Sequence, residues 1–131
     1  MIHLRLELGS GVPVYVQLVR QVRQAVLRGV LRPGDRLPAA REVVAELAIN
    51  PNTVLKAYTQ LENEGVAHSR PGLGTFIADT APPAVELAVL RRLAPVLDAW
   101  VVRAQSAGLD QEAVTALFAS AVERAYGGVA A

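Results

Sequence analysis

Apolar and polar positions change period several times along this chain of 131 residues, and each change marks an element. Ile2, Leu4, Leu6 and Leu8 alternate with His3, Arg5 and Glu7, the period of a half-buried strand. Gly9-Ser10-Gly11 ends that run. Pro13 suits a helix start, because its missing N–H would be unpaired there. Tyr15, Leu18, Val19, Val22 and Val26 then recur at helical spacing up to Gly29, with Gln17, Arg20, Gln21 and Gln24 facing outward. Beyond the turn Pro33-Gly34-Asp35, a second helix carries Ala40, Val43, Val44 and Leu47 on one face. Ala48 and Ile49 separate it from a third. There Asn50 is placed to cap, Pro51 takes the first helical position, and Val54, Ala57, Tyr58 and Leu61 form a core stripe. Asn52, Thr53, Lys56 and Gln60 lie off the stripe. Gly65 ends this helix, and Val66–Ser69 and Thr75–Ile77 read as short strands around Pro71-Gly72-Leu73-Gly74.

Asp79-Thr80-Ala81-Pro82-Pro83 reads as a boundary that divides residues 1–80 from residues 81–131. A helix from about Ala84 to Ala107 follows, with Leu87, Leu90, Leu97 and Trp100 apolar; Pro95 is expected to kink it and Gly108 to stop it. Asp110 is placed to cap a last helix, with Leu109 stapled onto Val114. Its stripe is Val114, Leu117, Phe118, Ala121 and Val122, and order is expected to end at Gly127-Gly128. A hairpin this short cannot bury both faces of its helices alone. It is expected to pair with a second copy through Leu87, Leu90, Leu97, Trp100, Leu117 and Phe118.

Composition narrows the classes. About half of the residues are hydrophobic, which supports a real core. No apolar run is long enough for a transmembrane helix, and the alternating N-terminus is unlike a signal peptide, so no membrane partner is expected. The chain has no cysteine, which fits a reducing, cytoplasmic setting, and its two histidines, His3 and His68, are too far apart to suggest a metal centre. Net charge is +1, well short of the strongly basic character of many nucleic-acid binders. Residues 1–80 carry nine Arg/Lys against seven Asp/Glu (net +2), and residues 81–131 four against five (net −1). Charge alone therefore decides little, and the local pattern carries the functional reading.

Two helices joined by so few residues, the second opening with Asn and Thr, point to a helix-turn-helix whose recognition helix enters the major groove N-terminus first. Free N–H groups and the positive end of the helix dipole there favour phosphate. An Asn side chain offers the donor and acceptor that match the adenine edge. Thr53 can bind phosphate or touch a thymine methyl, and Lys56 can neutralise a phosphate. The predicted fold class is mainly α with a small β wing: a winged helix-turn-helix domain plus a C-terminal two-helix hairpin used for dimerisation.

Residues 13–77 resemble the DNA-binding domain of the GntR family of bacterial transcription regulators, and within it the YtrA-like branch. The resemblance rests on Pro13-Val14-Tyr15-Val16-Gln17, Gly29, Pro33-Gly34-Asp35-Arg36-Leu37-Pro38, Arg41-Glu42 and Asn50-Pro51-Asn52-Thr53-Val54. It continues through Lys56-Ala57-Tyr58, Leu61-Glu62, Glu64-Gly65 and Gly72-Leu73-Gly74-Thr75-Phe76. It implies a dimeric, sequence-specific regulator, a repressor on a pseudo-palindromic operator, of the kind that controls neighbouring transporter genes. It also implies that Arg41 reaches phosphate or a guanine edge, that Asn50, Asn52 and Thr53 open the recognition helix, and that Arg70 and Gly72 bring the wing to the minor groove. Two departures stand out. Ala39 replaces the Ser that many relatives place before the second helix, and Pro71 and Leu73 replace charge in the wing.

Arg20, Arg23, Arg28 and Arg32 read as a solvated face, His68 as a strand surface residue, and Trp100 as core or dimer interface. Arg36 reads either as a salt bridge to Asp35 or Glu42 or as a phosphate contact. A docking module without DNA binding is the alternative function, but it has no need of Arg41, Asn50, Asn52 and Thr53. An enzyme is not expected. The one lysine, Lys56, lies within the recognition helix, and no nucleophile–base or carboxylate pair stands out, so no cofactor is expected either. A small-molecule effector acting through the hairpin stays open, as do the operator and the target genes.

Overall fold

The structure is a computed structural model that describes residues 2–127. Its elements are α1 (Val14–Leu27), α2 (Ala40–Leu47), α3 (Pro51–Asn63), β1 (Ala67–Arg70), β2 (Gly74–Ile77), α4 (Leu87–Ser106) and α5 (Gln111–Tyr126). They fall into two units, divided between Val85 and Glu86.

In the first unit α3 packs against α1, α2 and β1. Its stripe of Val54, Ala57 and Leu61 is fully buried, and it meets Leu18 and Val22 of α1, also fully buried, in one core with Val43 of α2. Asn50 caps α3 as the sequence suggested, accepting the Asn52 N–H at 2.8 Å. Tyr58 is core at its ring, and its hydroxyl donates to the Pro38 carbonyl at 2.6 Å. That bond ties α3 to the segment that enters α2. Burial, with the Glu42 carboxylate as a lesser cause, pushes the Tyr58 phenol far above its ordinary range, so it stays a donor at every physiological pH.

β1 and β2 form an antiparallel hairpin in which Ala67 faces Ile77 and Arg70 faces Gly74. A third, shorter stretch joins its edge. Gly34 N–H donates to the Ile77 carbonyl, Ile77 N–H to the Asp35 carbonyl and Leu37 N–H to the Thr75 carbonyl, each at 2.8 Å, and Arg36 bridges Phe76. The segment before α2 thereby becomes part of the wing. Leu37 and Ile77 point into the core, and Arg36 alternates outward.

Four expectations are corrected. Residues 2–7 form no strand, although their burial alternates and Leu4 is core. Side chains of α1 take the place of a partner strand. The Gln21 carboxamide accepts from Arg5 N–H at 2.8 Å and donates to the Arg5 carbonyl at 2.6 Å, and Gln17 does the same for Glu7 at 2.8 and 3.2 Å. These glutamines are thus half-buried partners and not part of an outward polar face. Arg23, assigned to a solvated face, pairs with Glu64 and links α1 to the end of α3. The first unit also runs past residue 80. Thr80 Oγ1 donates to the Gly65 carbonyl at 2.6 Å and Val85 N–H to the Leu27 carbonyl at 2.8 Å, which holds Ala84 and Val85 out of α4.

In the second unit α4 continues through Pro95 and closes at Gly108, where Leu109 N–H donates to the Ala104 carbonyl at 3.1 Å and Gly108 N–H to the Gln105 carbonyl at 3.0 Å. Asp110 caps α5 by accepting the Ala113 N–H at 2.8 Å. Ala104 is the buried residue of α4, and α5 buries none. Gly127 follows α5, while Gly128 lies outside the described residues.

Two helix ends and the Arg23–Glu64 ion pair bear on stability. Ala48, at the end of α2, is left-handed with φ 54°, a conformation that costs a side-chain-bearing residue roughly 1–2 kcal/mol. Ala48→Gly should stabilise the fold by roughly 0.5–1 kcal/mol after the entropy of an unfolded glycine is subtracted, read by urea denaturation. Ala39 caps α2 with no side-chain bond although its backbone is extended as a cap requires. Ala39→Ser should add about 1 kcal/mol in the same assay. Glu64 is held below its ordinary 4.5 by the Gln60 amide and the Arg23 guanidinium, against a small desolvation cost. A lowered carboxylate contributes stability above its unfolded value and loses it as pH falls through the folded one. The stability gap between the parent and Glu64→Gln, small at neutral pH because the pair is exposed, should therefore close below pH 4.5.

Candidate nucleic-acid interface

The turn Ala48-Ile49-Asn50 sets the opening of α3 directly after α2. Extended backbone at Asn50 and the fixed ring of Pro51 start α3 cleanly, and the buried stripe then fixes which residues remain outside. Asn50, Asn52 and Lys56 are exposed and Thr53 is half-buried. The expected free N–H groups are not there. Pro51 has none, Asn52 gives its own to the Asn50 side chain, and Thr53 donates to the Asn50 carbonyl at 3.0 Å. What α3 offers is therefore side chains, with Asn50 spent on the cap. Lys56 holds its Nζ 4.1 Å from the centre of the Tyr15 ring, a cation–π contact that pre-sets a long, flexible side chain from the start of α1.

The wing is built by a tight turn. Leu73 N–H donates to the Arg70 carbonyl at 2.9 Å, with Pro71 and then Gly72 at the corners. Gly72 has φ 75°, the value a type II turn needs at its third residue. Arg70 leaves β1 beside this turn and folds back over its own sheet. Its Cζ lies 4.7 Å from the Phe76 ring centre, and its Nε–H donates to His68 Nε2 at 3.2 Å. His68 in turn stacks on Phe76, with centroids 6.2 Å apart. On the opposite face of β1, the Ser69 hydroxyl donates to Glu62 of α3 and fastens the wing to that helix.

Arg41, at the first turn of α2, lines one open concavity of about 410 Å3 together with Arg70 and Gly72 of the wing. Arg36 lines it as well. Of its two expected readings the salt bridge is not formed: among the described residues Arg36 makes no ion pair with Asp35 or Glu42, which leaves the phosphate contact. The signal for it was the alternation of Arg36 outward and Leu37 inward, visible only once the segment is known to join the sheet. Lys56 stands apart, in a separate hollow along α3 with Gln60 and Glu64. The predicted residues thus form two groups, one at α3 and one between α2 and the wing. The departure at Ala39 also has a structural expression. With no cap, the Ala40 and Arg41 N–H groups have no partner among the described residues, and both Ala39 and Arg41 line the concavity.

On the hairpin, Leu87, Leu97, Leu117 and Phe118 are exposed, and Leu90 and Trp100 are half-buried. The Trp100 and Phe118 rings lie 6.5 Å apart, joining α4 to α5. Leu93, Val96, Val101, Val102 and Val122 are exposed besides. Among the described residues no group of His, Asp or Glu is placed to hold a metal, and no helix is long and apolar enough to cross a membrane.

Comparison with known proteins agrees with this geometry. The family model described as bacterial regulatory proteins of the gntR family matches residues 14–77. The HTH-type transcriptional repressor YtrA of Bacillus subtilis (strain 168) is 35% identical over 103 residues, 79% of each chain. The structure of YtrA from Sulfolobus acidocaldarius, a GntR-family transcription factor, is similar at TM-score 0.52 and 28% identity, over 76% of this chain and 97% of that one. The DNA-binding domain of AraR in complex with operator ORX1 matches at TM-score 0.54 and 26% identity, over 60% of this chain and all of that domain. A polar helix opening set beside an arginine-lined wing, on the fold these proteins share, makes this chain a member of the GntR family, a DNA-binding transcription regulator and not an enzyme.

Proposed function

We propose that the chain is a repressor that binds a pseudo-palindromic operator as a two-fold dimer in the bacterial cytoplasm. In this reading Asn52 and Thr53 read base edges in the major groove, Lys56 and Arg41 hold the backbone, and Arg70 and Gly72 enter the minor groove. Asn50 shapes the helix that presents them. The carrying observation is the exposed opening of α3 beside arginines that no carboxylate neutralises among the described residues. The residues 81–131 supply the dimer interface through Leu87, Leu90, Leu97, Trp100, Leu117 and Phe118. Support comes from the large apolar side chains that α4 and α5 leave exposed, more than a lone helical pair carries in water. A two-fold protein implies two half-sites, whose separation the dimer sets. A small-molecule effector would act by changing that separation, and transporter genes are the expected targets.

The test is fluorescence anisotropy with DNA from upstream of the chain's own gene, set against scrambled DNA at two salt concentrations. Selective, salt-sensitive binding is expected. Asn52→Ala should lose roughly 1–3 kcal/mol on the operator and little on scrambled DNA, because base contacts carry the discrimination. Arg41→Ala should weaken both and flatten the salt dependence. Light scattering should give the mass of two chains at micromolar concentration; the mass of one chain would remove the dimer from the proposal.

A further inference from the structure

The outward face of the wing sheet carries two rows of side chains. Arg36, Phe76 and His68 stand across from one another in one row, and Gly74 and Arg70 in the next. The two arginines cross between rows. Arg70 leans back over Phe76, and Arg36 lies across Gly74. Gly74 is what permits this. A Cβ there would come within 2.9 Å of Arg36 Nε, closer than such contacts occur. Phe76 gives Arg70 a place away from Gly74, so the two guanidinium groups share a small face without displacing each other. Arg41, at the start of α2, brings a third to the same concavity. Ala39, Ser69, Leu73 and Thr75 line the rest, so no carboxylate does. Like charges gathered in this way repel one another in the free protein, and the repulsion is relieved when a polyanion fills the space.

We propose that Arg36, laid across Gly74, is a further DNA-contacting residue, and that Arg36, Arg41 and Arg70 together clasp one sugar–phosphate backbone between α2 and the wing. The proposal rests on the DNA-binding reading and adds a contact that the helix-turn-helix pattern does not supply. Arg36 faces phosphate, so it adds affinity and salt dependence with no preference for sequence.

The experiment is a salt titration of the full chain on upstream and scrambled duplexes by anisotropy, with Arg36→Gln, Arg36→Lys, Gly74→Ala and the double variant Arg36→Gln/Gly74→Ala. Arg36→Gln should weaken binding to both duplexes alike, by about eightfold at 0.1 M salt, with a salt slope lower by about 1. Arg36→Lys should keep the parent slope. Gly74→Ala should weaken binding in the parent, by crowding Arg36 and by straining the wing at φ 128°, and should cost less once Arg36 is gone. An unchanged slope in Arg36→Gln overturns the contact, as does an Arg36→Lys slope as low as that of Arg36→Gln. If parent binding is intact in either case, the DNA-binding reading stands without it. A parent chain that binds neither duplex overturns both.

Discussion

One helix is both the centre of the core and the carrier of the exposed polar set proposed to meet DNA, and the structure is arranged around that double demand on α3. Its thirteen residues meet α1, α2 and β1. Val54, Ala57 and Leu61 lose all contact with solvent, which fixes the rotation of the helix about its own axis. Ala57 belongs to this buried stripe, where a larger side chain would have to be accommodated within a packed core. Once the stripe is seated, Asn52 and Lys56 have no choice of side. The presentation of polar groups to solvent is thus a consequence of burial elsewhere on the same helix. The Tyr58–Pro38 bond extends this control, because it ties the entry of α2 to the centre of α3 and its donor never titrates in the working range.

The wing obeys a second constraint. A two-stranded hairpin is marginal in water, and four-residue strands make it more so. Here it gains an edge from residues 34–37 and a tether from Ser69 to Glu62 of α3. These attachments do more than stabilise. They bring Arg36 to the outward face and set the wing against α2, which is how residues distant in sequence come to share one concavity. Net charge says little about such a surface. A chain at +1 overall gathers three arginines round a concavity that no carboxylate lines among the described residues, and it is the local field, not the sum, that an approaching phosphate meets.

What the sequence made legible was local. The Asn50 and Asp110 caps, the Pro71-Gly72 turn and the stripes of α1 and α3 depend on neighbours within a few residues, and they stand where the pattern puts them. What it did not reveal depends on partners far along the chain. The alternation of Ile2 to Leu8 correctly separates buried from exposed positions near Leu4. It cannot say that two glutamines, rather than a strand, complete the backbone bonds. Arg36 is ambiguous in sequence because its role follows from a bridge to Phe76 forty residues on. Ala48 carries no mark at all. Glycine signals the ends of α1 and α3, but here an alanine takes the left-handed conformation, and the short link between α2 and α3 imposes it. The first unit extends past Pro82-Pro83 for a similar reason, since Val85 bonds back to Leu27.

The hairpin poses the opposite problem from α3, and comparing them gives the proposed dimer its physical basis. α3 buries four side chains, and α5, which is longer, buries none. Helices of this length gain most of their stability from tertiary packing of an apolar face. α4 and α5 have such a face, with Leu93, Val96, Leu97 and Phe118 all exposed, and among the described residues nothing within the unit covers these side chains. The Trp100–Phe118 contact and the bonds at Gly108 and Asp110 fix the turn between the helices without covering those side chains. A second copy presenting the same face would bury apolar surface on both sides at once, at roughly 25 cal/mol per Å2. The folding of the hairpin and the pairing of two chains then become a single equilibrium. In that case the hairpin order and the spacing of two α3 helices on DNA rise and fall together, so that dilution alone would weaken operator binding more steeply than a one-site isotherm allows.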